Sequence, residues 1–256
     1  MSPLVITILV IGGIVLLVAI AYINQMVEAN KLEKARIRAD LTERLRRCGD
    51  LNETFPGQLM TPALKLLLIR LQLNITERLL SLSKNDKELQ ASIDTLRGQL
   101  GLGESITISN PQEHIANEAK GKDIRYQLET LHAQLTRAAK EGVISVADAK
   151  HWVGQIRHML CQVHIELFNN IGQQALQKNL PSQARLAFER GVQYLSKQPD
   201  PTPYKEALKK FENQLARANA LVLDNIKLSN DQPSELNTGL DTLGSDEEWK
   251  KKNIYD

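Results

Sequence analysis

TPALKLLLIRLQLNITERLLSL, residues 61–82, is the stretch that decides the fold. Thr61 followed by Pro62 is a strong helix start. The hydroxyl accepts a bond from an unpaired N–H of the first turn, and proline has no N–H to lose there. Leu64, Leu68, Leu71, Ile75, Leu79 and Leu82 form one stripe at helical spacing, and the remaining leucines widen it beyond a single face. A helix apolar on most sides must be covered on most sides. Residues 61–82 are therefore expected to be the central core helix of an all-α domain. Lys65, Arg70, Glu77 and Arg78 rule against a membrane span at this point.

Toward the N-terminus the pattern changes. No side chain from Met1 to Val27 is charged, and branched aliphatics fill residues 3–23. A run of about 20 apolar residues suffices to cross the hydrocarbon core of a bilayer. Residues 1–25 are accordingly expected to be a transmembrane helix, with the lipid bilayer as a partner. A cleaved signal peptide fits less well, because the stretch before Ala19-Ile20-Ala21 lacks a basic start and is too long. Lys31, Lys34, Arg36, Arg38, Arg44, Arg46 and Arg47 all follow the run. The positive-inside rule then predicts a single-pass inner-membrane protein, N-out, with the bulk of the chain cytoplasmic.

Four segments follow from this reading: 1–25 an anchor, 26–60 a charged helical stalk and linker, 61–228 a cytoplasmic all-helical domain, and 229–256 a disordered acidic tail. In the stalk, Leu32, Leu41, Leu45 and Cys48 make a thin apolar stripe, which Gly49-Asp50 and Phe55-Pro56-Gly57 are expected to break. Within the domain, Leu89, Ile93, Leu96 and Leu100 predict a helix over 86–100. Asn110-Pro111-Gln112-Glu113 has the form of a helix start, and that helix should end near Gly121. Ile124, Leu128, Leu131, Leu135 and Ala138 predict another, stopping at Gly142. Ser145-x-x-Asp148 caps a long helix whose apolar side is Ile156, Leu160, Val163, Leu167 and Ile171. Only Ser105-Ile106-Thr107-Ile108 hints at a strand.

Between Phe168 and Pro199 the chain resembles one unit of the tetratricopeptide repeat family, a 34-residue helix pair. Phe168, Ile171, Gly172 and Ala175 stand where its first helix wants an aromatic, an aliphatic, a small residue and a contact. Ala184, Phe188 and Gly191 match the second helix, and Asn179-Leu180-Pro181 supplies the turn. The family's tyrosine is replaced by Ala175, and the closing proline comes late, at Pro199. The resemblance implies a protein-binding module whose first helix presents Glu166, Asn169, Gln173 and Gln177 to a peptide. Pro199, Pro201 and Pro203 form an elbow before a last helix carrying Phe211, Leu215, Ala218 and Leu221-Val222.

Composition excludes several classes. The net charge of +2 gives no global field for nucleic acid, and no basic patch is interleaved with aromatics. Cys48 and Cys161, the only two cysteines, form no CxxC and no disulfide framework. His151, His158 and Cys161 share a helix but do not converge at metal-ligand spacing, so no metal is expected. No phosphate loop, dinucleotide fingerprint or nucleophile elbow occurs, so neither enzyme activity nor a cofactor is expected. In the acidic tail, Trp249, Ile254 and Tyr255 are candidate docking residues. The expected function is a membrane-anchored helical adaptor or scaffold that positions protein partners. A self-associating structural protein, a homo-oligomer joined as a coiled coil through 24–48, and a nucleic-acid-processing factor without recognisable motif are the alternatives.

Overall fold

The computed structural model describes residues 3–83 and 85–231, with the backbone alone for 3–12, 14–16, 18 and 226–231. Seven α-helices and two short 3-10 turns make up the described chain, with no strand among the described residues. The helices are α1 (Pro3–Thr54), α2 (Pro62–Leu82), α3 (Lys87–Gly101), α4 (Glu118–Lys140), α5 (Val146–Gln177), α6 (Pro181–Ser196) and α7 (Lys205–Asp231). They form two compact units: Met1–His114 with Asp123–Met159, and Ile115–Lys122 with Leu160–Asp256.

Among the described residues, no helix is long and apolar enough to cross a membrane. This overturns the transmembrane helix expected over 1–25, and with it the single-pass, N-out inner-membrane placement. Glu28, Lys31, Glu33 and Lys34 follow on the same unbroken helix. The side chains of 3–12, 14–16 and 18, on which the expectation also drew, lie outside the described residues.

The stalk reading of 26–60 also needs revision at its far end. Residues 19–40 are exposed, but Leu41, Arg44, Cys48, Leu51 and Phe55 are buried at 3-4-3-4 spacing. This face of α1 packs on α2. Helix α1 runs through Gly49-Asp50 to Thr54. A glycine costs a helix only about 1 kcal/mol, which tertiary packing readily outweighs. Burial pushes the Cys48 thiol up to about 11, leaving it a neutral packing group.

Helix α2 behaves as its composition requires. The Thr61 hydroxyl accepts from the Leu64 N–H at 3.2 Å. Leu64, Leu67, Leu68, Ile69, Leu71, Ile75 and Leu79 are all buried, and the exposed edge is the narrow strip Ala63, Arg70, Glu77 and Arg78; Leu82, expected in the buried stripe, is exposed at the last turn. Ile93 and Leu96 of α3 are buried, and α3 lies against α2. Ile69, Leu96 and Ile106 form one cluster, which uses Ile106 as a plug from a loop rather than from a strand.

The helix expected to start at Asn110 does not form there. Its cap residue is taken: the Asn110 amide donates to the carbonyls of Asn52, Glu53 and Phe55 at 3.0, 3.2 and 3.0 Å. Those are orphan acceptors at the end of α1, so Asn110 caps a distant helix rather than its own. The Gly57 N–H donates to the Pro111 carbonyl at 2.8 Å, and the Gln58 amide bonds both backbone groups of Glu113. A Cβ on Gly57 would lie 2.3 Å from the Asn110 carbonyl oxygen, so only glycine permits this approach. Helix α4 starts instead at Glu118 and runs through Gly121, with Asn117 accepting from the Lys120 N–H at 2.9 Å as its cap. Its stripe Ile124, Leu128, Leu131, Leu135 and Ala138 is fully buried.

Charge holds the first unit together at Glu141. Its carboxylate accepts from Arg44 of α1 at 2.9 and 3.1 Å, Arg78 of α2 at 2.6 Å and Arg137 of α4 at 3.0 Å. Arg137 also grips Asp40 of α1. The hydrogen bond from Arg137 holds the Asp40 carboxyl below its usual range. For Glu141, burial opposes ionisation, but bonds from Arg137 and Arg44 outweigh it and the carboxyl again sits low.

Two outcomes follow for stability. Both carboxyls have depressed folded-state pKa values, so their contribution is complete above the unfolded values of 3.8 and 4.5. It is lost as pH falls through the folded ones. Glu141→Gln should flatten this acid limb in pH-dependent thermal melts and cost about 2 kcal/mol near neutrality, since Arg44 loses its anion. Separately, Leu71→Asp would place an unpaired charge at a buried position. It should cost several kcal/mol of a total of roughly 5–15 and abolish the cooperative melt followed by circular dichroism.

Candidate protein-binding face

The second unit is built from α5, α6 and α7, and its packing repeats one device. Gly172 of α5 faces the ring of Phe188 on α6, where a Cβ would lie 2.3 Å from a ring carbon. Gly191 of α6 lies in the same way under the ring of Phe211 on α7. Ala184 and Ala218, both fully buried, let the backbones approach beside those rings. The turn between α5 and α6 has Asn179 at φ 56°, with the Leu180 N–H bonded to the Ala175 carbonyl at 2.8 Å. Leu180 then leads into Pro181 at the start of α6. The packed stripe of α7 runs through Phe211 and Ala218, whereas Leu221, expected on the packed side, is 40% exposed.

A polar wall stands on α5. At about 100° per residue, positions 166, 169, 170, 173 and 177 fall within a third of the helix circumference. Glu166 and Asn170 hold Ile115, a residue with 1% exposure. The Ile115 N–H donates to the Glu166 carboxylate at 3.0 Å, and the Asn170 amide donates to the Ile115 carbonyl at 3.0 Å. Both main-chain groups of one non-helical residue are thus read by side chains one helical turn apart. Asn169 and Gln173 are half-buried beside this grip and Gln177 is exposed beyond it. The Asn169 amide reaches Asn170 at 3.4 Å, while its own Oδ1 is buried without a hydrogen bond.

The other side of α5 carries a cluster of ring contacts. The His164 ring stacks on Tyr194 with centroids 4.3 Å apart, and Phe168 meets the same tyrosine edge-on. Cys161 lies 3.7 Å from the Tyr194 hydroxyl. Burial, then Cys161, pushes the Tyr194 hydroxyl above its usual range and Tyr204 up to about 12. These groups stay neutral and serve packing.

Of the residues singled out in the sequence, Glu166, Asn169, Gln173 and Gln177 come together on this face. Trp249, Ile254 and Tyr255 lie outside the described residues. Asn170 and Ile115 were not foreseen. Asn170 was legible as the i+4 neighbour of Glu166, but nothing in the periodicity of the chain marks Ile115. His151 is exposed and His158 half-buried, and no group of three or more His, Cys, Asp or Glu among the described residues is placed to hold a metal. A comparison with family models, curated proteins and solved structures found no match for the chain.

Gly172→Ala should cost about 1–3 kcal/mol by overpacking against Phe188. Chemical denaturation of Gly172→Ala, Phe188→Leu and the double variant checks this. The double variant should recover part of the loss, because a smaller partner makes room for the methyl.

Proposed function

We propose that this chain is a helical adaptor that binds protein partners along the amide-rich face of α5, with the repeat-like pair of α5 and α6 as its recognition module. The observation that carries this reading is the grip on Ile115. The face already holds one residue by its N–H and its C=O, with a carboxylate and an amide one turn apart. Recognition through the main chain is how helical and sheet-edge modules take segments of varied sequence. Asn169, Gln173 and Gln177 continue the same face with further donors and acceptors, of which Gln177 is exposed. The tetratricopeptide likeness supports the same reading, since in that family the first helix of each pair presents polar side chains to bound peptides.

No catalytic group forms part of this proposal. The function is to hold a partner, and the specificity expected of it is for a segment with a buried aliphatic residue flanked by free main-chain groups. Panning a displayed peptide library on the full-length chain tests it. Enriched peptides should bind the unaltered protein and lose about five- to tenfold in affinity with Gln173→Ala or Asn169→Ala, the worth of one hydrogen bond. Gln198→Ala, away from the face, should leave affinity unchanged. Binders indifferent to Gln173 and Asn169, or no enrichment, would refute the assignment.

A further inference from the structure

A second feature, in the first unit, is independent of the α5 amide face. The C-terminal turns of α4 and the first turns of α5 enclose an open groove of about 550 Å³. Its floor is apolar, including Val146, Ala149 and Val153, and Val146 is 64% exposed. Lys140, Lys150 and Arg157 line it, and no Asp or Glu does. Neighbouring arginines are committed: Arg137, one turn before Lys140, is bonded to Asp40 and Glu141, and Arg44 and Arg78 to Glu141. Lys140, Lys150 and Arg157 have no ion pair among the described residues. Three uncommitted cations around an exposed apolar floor suit a peptide that offers carboxylates and aliphatic side chains together.

The chain itself carries such a peptide. Residues 232–248 lie outside the described residues, and their sequence holds Leu236, Leu240 and Leu243 at 4-3 spacing. Glu235, Asp241, Asp246, Glu247 and Glu248 accompany them, with no Lys or Arg in the segment. We propose that the groove of one copy receives segment 232–248 of a second copy, the leucines on the Val146–Val153 floor and the carboxylates against Lys140, Lys150 and Arg157. A contact between copies through two different surfaces is head to tail, so each copy can give its segment to one neighbour and take one from another. Between exposed charges such association weakens as salt rises.

Paired charge reversal in the full-length chain tests this. One variant carries Lys140→Glu, Lys150→Glu and Arg157→Glu, all at exposed positions. The other carries Asp241→Lys, Asp246→Lys, Glu247→Lys and Glu248→Lys. Sedimentation velocity should show the unaltered chain associating with rising concentration at about 50 mM salt and dissociating at about 500 mM. Each variant alone, with circular dichroism unchanged, should associate at least tenfold more weakly. Mixing the two should restore association, since each then offers the other an opposite charge. A monomeric unaltered chain, variants that associate as strongly as it does, or a mixture that stays apart would each overturn the proposal.

Discussion

A helix with leucine on nearly every face has no stable existence in water, and α2 is such a helix. Its exposed residues are Ala63, Arg70, Glu77 and Arg78 along one edge, with Ser81 and Leu82 at its C-terminal end. Everything described in the first unit can be understood as cover for the rest. Helix α1 lends its last turns, α3 its Ile93 and Leu96, and the loop after α3 lends Ile106. Burial of this kind is non-directional and sets no register by itself. The Glu141 cluster supplies direction. One carboxylate accepts from arginines on α1, α2 and α4, which fixes the three helices in one arrangement. Arg44, 5% exposed, must find its anion, because a charge left unpaired at such depth is costly.

The second unit reaches the same end with shape instead of charge. A glycine on one helix and an aromatic ring on the next bring α5 to α6, and again α6 to α7. The ring fills the space that the missing side chain leaves, and buried alanines keep the backbones close. This bears on the proposed function. With its inner side locked against Phe188 and the Tyr194 stack, α5 has a fixed outer face, and side chains on a fixed helix hold a ligand more accurately than side chains on a loop. The amide row that grips Ile115 stands on that support.

Much of this was legible from local pattern. The start of α2 at Thr61-Pro62, the stripes of α3 and α4 and the Ser145–Asp148 cap all depend on spacing within one helix. In the structure the Asp148 N–H donates to the Ser145 hydroxyl at 3.0 Å. Two local readings misplaced elements. Asn110-Pro111 has the form of a helix start, yet the Asn110 amide caps the end of α1. Gly49-Asp50 has the form of a break, yet α1 passes through it. In each case a contact far along the chain outweighed a preference of about 1 kcal/mol. The apolar opening of α1 was read by a length rule, and among the described residues no helix is long and apolar enough to cross a membrane.

By itself, then, the sequence determined that the chain is helical, where most helices begin and end, and which of their faces turn inward. Those properties rest on 3.6-residue periodicity, capping hydroxyls and the geometry of proline and glycine, all of which act within a few residues. The tertiary structure alone decided that Arg44, Arg78 and Arg137 share one anion, that Asn110 serves a helix some 55 residues away, and that Ile115 sits in the grip of Glu166 and Asn170. These are pairings between polar groups distant in the chain, and no periodic signal encodes which donor meets which acceptor. The partner of a hydrogen bond is set by where packing puts it, and packing is a property of the whole unit.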